Sequence, residues 1–210
     1  MRSLSSKNKK EENMVKLTAN NVTGAINTPL TEPYASNSQM MRSVIAAMPE
    51  NKDIDIVCAK IAAVDYVYST NLRLQRKKCT VLDVANAIIQ TKDFDDRVKK
   101  GDASVVNEVL NKLDVNLFSF MSKYCFVHNC YVYKKDDYSI YDSAVKSLLP
   151  KYIKNYGTTV PKITGAELAK IVNDRDYVSF NNIVGQLISD VGINIANPRK
   201  AFDRFIWSQR

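Results

Sequence analysis

Apolar residues recur at helical spacing along this chain, and that periodicity limits its fold more than any other feature. The longest such stretch runs from Ile54 to Asn71. There Ile54, Val57, Cys58, Ile61, Val64 and Val67 or Tyr68 fall on one face, which predicts a core helix. The period-two alternation of a strand is hard to find, except for a short stretch around Val132. Glycine and proline are scarce, at six each. Sandwiches and barrels need frequent turns, so this scarcity also favours helices.

Start and stop signals divide the pattern into short elements. Ser36 is the expected cap for a helix over Gln39 to Met48, after an extended lead-in from Thr23 to Tyr34. Thr80 caps Val81 to Gln90, and Thr164 caps Ala166 to Val172. Asp93 to Lys100 reads as a charged connector or a short helix, and Ala103 to Leu113, Val115 to about Asn129, Ser143 to about Lys154 and Tyr177 to Val191 are the other helical runs. Pro198 opens a last helix ending at Trp207. The reading is an all-α fold of about eight to ten helices. The polar stretch 1–21 is expected to be disordered, and 22–210 to form a single helical domain.

Lys and Arg number 30 against 22 Asp and Glu, a net charge of +8. Such an excess favours an anionic partner, with nucleic acid before a membrane surface, although many basic proteins are merely soluble. Two local clusters stand out: Arg73, Arg76, Lys77 and Lys78, and then Lys146, Lys151 and Lys154. Either reads as a DNA contact or as a solvated basic face. Met1 to Asn13 has no apolar run of the signal-peptide kind, and no stretch is long and apolar enough to span a bilayer. A cytoplasmic protein without a membrane partner is the expectation. Nothing in the sequence sets an oligomeric state.

The four cysteines form no C-x-x-C pair, and His128 is the only histidine. Cys125, His128 and Cys130 lie close together but lack a fourth ligand, so buried thiols are expected rather than a metal site. No glycine-rich phosphate loop and no G-x-S-x-G elbow occurs. No cofactor is expected.

One constellation carries chemistry. Leu117 to Phe126 is an apolar helical run holding Lys123. A loop with several aromatic and charged residues (Cys130 to Ser139) follows, and then Ile140-Tyr141-Asp142 opens the next helix. Lys123 and Asp142 are 19 residues apart. This arrangement resembles the catalytic segment of the helix-hairpin-helix DNA glycosylases, in particular the 8-oxoguanine DNA glycosylase branch. There a hairpin leads into a helix that begins with a lysine, and an aspartate after an apolar lead-in starts a later helix.

The resemblance implies a multi-helix glycosylase-like fold with duplex DNA as partner. It implies Lys123 as nucleophile and Asp142 as its electrostatic partner in base excision, possible substrates including an oxidised purine. Phe120, Tyr124 and Tyr141 are the candidate pocket for a flipped base, and Arg73, Arg76, Lys77, Lys78, Lys146 and Lys151 the candidate DNA contacts. A carboxylate at a helix N-terminus is held ionised, and a desolvated lysine is a better nucleophile. The chain departs from the family at the hairpin, where Phe118, Ser119 and Met121 replace a proline and two glycines. Two other readings stay open: an inert DNA-binding module on the same fold, and a helical protein-interaction domain. Asp142 as a simple N-cap and Lys123 as a solvated helix residue are the plainer alternatives.

Overall fold

Helix caps written into the sequence set most of the element boundaries. The structure, a computed structural model, describes residues 14–75 and 77–209. Arg76 and residues 1–13 of the expected disordered segment lie outside the described residues. Among the described residues there are eleven α-helices, one 3-10 turn and no strand. The all-α expectation holds, with more helices than the eight to ten expected.

In chain order the helices are α1 Ala19–Asn27, α2 Tyr34–Ala47, α3 Ile54–Tyr68, α4 Val81–Ile89, α5 Phe94–Lys100 and α6 Ser104–Asn111. They continue as α7 Phe118–Tyr131, α8 Ser143–Tyr156, α9 Gly165–Asn173, α10 Tyr177–Asp190 and α11 Pro198–Trp207. The 3-10 turn is Leu72–Gln75. Thr80 and Thr164 each complete a capping box, with Asp83 and Glu167 returning the hydrogen bond. Pro198 takes the first position of α11, where its missing N–H leaves nothing unsatisfied.

Four local expectations fail, the first being the extended lead-in from Thr23, which is helical as far as Asn27. Thr18 caps α1, so structure begins inside the stretch 1–21, with Leu17 buried beneath it. Helix α2 starts at Tyr34, five residues before the expected Gln39, and the Ser36 hydroxyl donates to Glu32 instead of capping. Val132 caps the end of α7 and forms no strand.

Helix α7 is the centre of the molecule. Every residue from Phe120 to Cys130 is buried, as expected of a helix wrapped on all sides. Helices α2, α3, α5 and α6 pack directly against it. At its start, Phe118 meets the rings of Tyr141, Tyr177 and Phe180 at centroid distances of 5.3, 5.7 and 5.7 Å. Each such ring contributes roughly 1.5–3 kcal/mol by leaving water. Helix α11 closes the molecule by packing on α1 and α8, with Phe202, Phe205 and Ile206 buried. No helix among the described residues is long and apolar enough to cross a membrane.

Candidate functional site

An extended segment without regular secondary structure, residues 137–141, connects α7 to α8. Its backbone polar groups are buried and need partners, and side chains supply them. The Asp137 N–H donates to Asn129 Oδ1 at 2.9 Å, and Asn181 Nδ2 donates to the Asp137 carbonyl at 2.9 Å. The Ser139 N–H donates to Tyr177 Oη and Asn181 Oδ1, and the Tyr177 hydroxyl returns a bond to the Ser139 carbonyl at 2.8 Å. Tyr138 and Ser139 are buried, so the loop expected at the surface ends inside the protein.

Two serines of the first turn of α7 grip the last residue of this segment. The Tyr141 N–H donates to Ser122 Oγ at 3.0 Å, and the Ser119 hydroxyl donates to the Tyr141 carbonyl at 2.9 Å. Asp142 follows directly. One of its carboxylate oxygens accepts the Ala144 and Val145 N–H groups at 2.8 and 2.9 Å, which makes it the N-cap of α8.

Lys123 lies one turn beyond Ser119 on α7. Its amine donates to Ser119 Oγ at 2.7 Å and stands 3.4 Å from the Tyr141 carbonyl. It also stands 5.9 Å from the centre of the Tyr68 ring. Lys123 is only 4% exposed, so it is not a solvated helix residue. Lys123 and Asp142 both line one cleft of about 960 Å³. Both residues line the cleft, and Ser119 ties the lysine to the carbonyl just before Asp142.

The hairpin expected before Lys123 is absent. Phe118, Ser119 and Met121 are already helical, so Lys123 sits in the second turn of α7 and not at a helix start. The physical reason is that Phe118, Phe120 and Met121 are all buried, and a helix buries them without leaving loop amides unpaired.

The expected base pocket is corrected as well. Phe120, Tyr124 and Tyr141 point their rings into the core, and none lines the cleft. The Tyr124 hydroxyl donates to Asn51 Oδ1 at 2.7 Å, and Tyr141 packs between Phe118 and Phe180. The aromatic residues that do line the cleft include Tyr34, Tyr68, Tyr131 and Trp207. Tyr34 is 50% exposed and meets the Trp207 ring edge-on at 5.3 Å.

The expected DNA contacts also lie elsewhere. Lys77 and Lys78 are exposed on the turn before α4, and Lys146 and Lys151 are exposed on α8, none of them in the cleft lining. Arg73 belongs to the 3-10 turn. The cleft has cations of its own: Arg42 from α2, Lys200 and Arg204 from α11, and Lys123, against the carboxylates of Asp142 and Asp203. Sequence spacing gave no hint of the first three, because they meet only through tertiary packing.

Cys125 and His128 do not form a nucleophile pair. Burial pushes the Cys125 thiol well above its usual range, and a neutral thiol is a poor nucleophile. Burial, with the Lys60 charge nearby, pushes His128 down to about 3. Its Nδ1–H donates to the Tyr124 carbonyl at 3.0 Å, so the ring is a neutral part of the core. Among the described residues no three His, Cys, Asp or Glu side chains are grouped to hold a metal ion.

Residues 12–137 match the protein family HI_0787_N, described as an N-terminal domain. That is more than half of the chain, and the chain belongs to this family. No curated protein and no solved structure matches it. The match takes in α1 to α7, with Arg42, Tyr68, Lys123 and Tyr131. Asp142, Lys200, Asp203 and Arg204 come after it, so the cleft is built from both parts of the chain.

Proposed function

We propose that this member of the HI_0787_N family is a DNA base-excision protein. It cleaves the N-glycosidic bond of a damaged base, an oxidised purine being the leading candidate, and its Lys123 amine and Asp142 carboxylate do the work. The observation that carries the proposal is the shared cleft. A buried lysine and a helix-capping aspartate, 19 residues apart, line it together, with Ser119 bonded both to the amine and to the carbonyl before Asp142.

The chemistry follows from those groups. The amine attacks the sugar C1′, and the bond to the base breaks with its electron pair leaving on the base. Positive charge on the sugar is greatest as that bond breaks, and the Asp142 carboxylate stabilises it. Loss of the amine protons and opening of the ring, with O4′ taking a proton, leave an imine between Nζ and C1′. Loss of a C2′ proton then releases the 3′ phosphate oxygen and nicks the strand.

Duplex DNA carrying 8-oxoguanine or an abasic site tests this. Nicking is expected from the natural protein, none from Lys123→Gln, and a rate lower by on the order of a hundredfold from Asp142→Asn. A second reading, an inert DNA-binding module on this fold, is favoured by the missing hairpin and the 4% exposure of Lys123. Salt-sensitive binding without nicking would select it. No binding even at low salt would remove both.

A further inference from the structure

The cleft lining holds a second charged feature besides Lys123. Tyr131 is the last residue of α7, and two cations from distant helices stand over its ring. The Arg42 guanidinium carbon is 5.0 Å from the ring centre, and the Lys200 amine is 5.3 Å from it. Arg42 Nε is buried and has no hydrogen-bond partner among the described residues. A buried guanidinium N–H without an acceptor is costly, and an oxygen brought by a ligand removes that cost.

Two carboxylates and four cations line the cleft around this feature. The Asp136 carboxylate accepts the Arg199 and Lys200 N–H groups at 2.6 and 3.0 Å, so it is committed to the start of α11. Asp203 faces the same cleft, where Arg42, Lys123, Lys200 and Arg204 outnumber it and Asp142. A guanidinium fork beside a point-charge amine suits a tetrahedral oxyanion that offers several oxygens.

We propose that Arg42 and Lys200, held over Tyr131, form a phosphate subsite that grips an internucleotide phosphodiester of the strand entering the cleft. Its identity as a strand phosphate rests on the base-excision reading, whereas the anion chemistry does not. The subsite takes over the phosphate grip that the missing hairpin would have supplied. Tyr131 serves as its floor and not as a surface for stacking a base, because its ring already carries two cations.

Two titrations of the full chain test the proposal. Inorganic phosphate should give a saturable shift in backbone amide NMR signals around Tyr131, lost in Arg42→Gln and in Lys200→Gln. Lys200 holds Asp136 through its backbone N–H and not its side chain, so Lys200→Gln keeps the fold even if Arg42→Gln does not. A fluorescent single-stranded oligonucleotide should then lose about 0.7 from the slope of log K against log salt in either variant. Phosphate binding without a change in the oligonucleotide slope would mean a free-phosphate site and overturn the strand assignment. Folded variants that alter neither measurement would overturn the subsite. A protein that never nicks DNA but keeps the Arg42- and Lys200-dependent binding loses the base-excision reading and retains the subsite.

Discussion

Ser119 is the residue on which the candidate site turns. Its hydroxyl accepts from the Lys123 amine and donates to the Tyr141 carbonyl, fixing the lysine against the segment that carries Asp142. Ser119→Ala should cost about 1 kcal/mol in denaturant unfolding, the usual net worth of such a bond. It should also lower strand nicking without weakening DNA binding. A residue with a purely structural role would change the stability alone.

Asp136 makes a separate pH prediction. Burial pushes its carboxyl up to about 6, against the pull of the α11 N–H groups and of the Arg199 and Lys200 charges. The folded state therefore holds this proton more tightly than the unfolded chain does. The resulting stability is complete below about pH 4 and is lost as pH rises through about 6. Urea unfolding of Asp136→Asn should lack this loss while the natural protein shows it. Identical pH profiles would contradict the assignment.

Lys123 and Asp142 were legible at this scale because each belongs to a recognisable local pattern. Phe120, Tyr124 and Tyr141 lie outside the cleft lining because nearness in sequence is not nearness in space. Ser119 and Phe126, four residues before and three after Lys123, share its helix face and line the cleft. Phe120 and Tyr124 point around the helix into the core. Phe120, three residues before Lys123, lies as near to it in helical projection as Phe126 but on the other side, so tertiary packing decides which of them lines the cleft.

Among the elements, Gly101 controls the segment that delivers Asp142. It ends α5 with φ 77°, and a Cβ there would come 2.7 Å from the Asp137 carboxyl carbon. Asp137 in turn is bonded to Asn129 through both its N–H and its carboxylate. Gly101→Ala combines left-handed strain with that clash, so it should destabilise by more than about 1 kcal/mol. A thermal melt equal to that of the natural protein would show that the loop gives way easily.

Caps such as Thr80, Thr164 and Pro198 were readable because their signals lie within four residues. Helix α1 was hidden by polar composition. Its sequence offers few apolar residues, and it is held by contacts with α11 from the far end of the chain. The cap at Thr18 was the one local signal that marked it.

Across the whole molecule, the family boundary and the folding unit do not coincide. The family match ends at residue 137, whereas Phe118 of α7 is buried against Tyr141, Tyr177 and Phe180, all beyond it. A fragment ending at residue 137 should therefore keep helical far-UV dichroism and lose near-UV dichroism and cooperative melting. Retained cooperative melting would show that the first seven helices suffice.

The all-helical class was legible from periodicity, while the cleft was not. Arg42, Lys200 and Arg204 belong to α2 and α11, and no spacing rule joins residues so far apart. The positive charge of the sequence pointed to an anionic partner, but Lys77, Lys78, Lys146 and Lys151 lie outside the cleft lining. The most direct measurement is borohydride trapping on duplex DNA with an abasic site. The imine proposed on Lys123 Nζ should be reduced to a stable protein–DNA adduct in the natural protein, and Lys123→Gln should give none. No adduct from the natural protein under conditions where it binds the duplex, or an undiminished adduct from Lys123→Gln, would contradict the account.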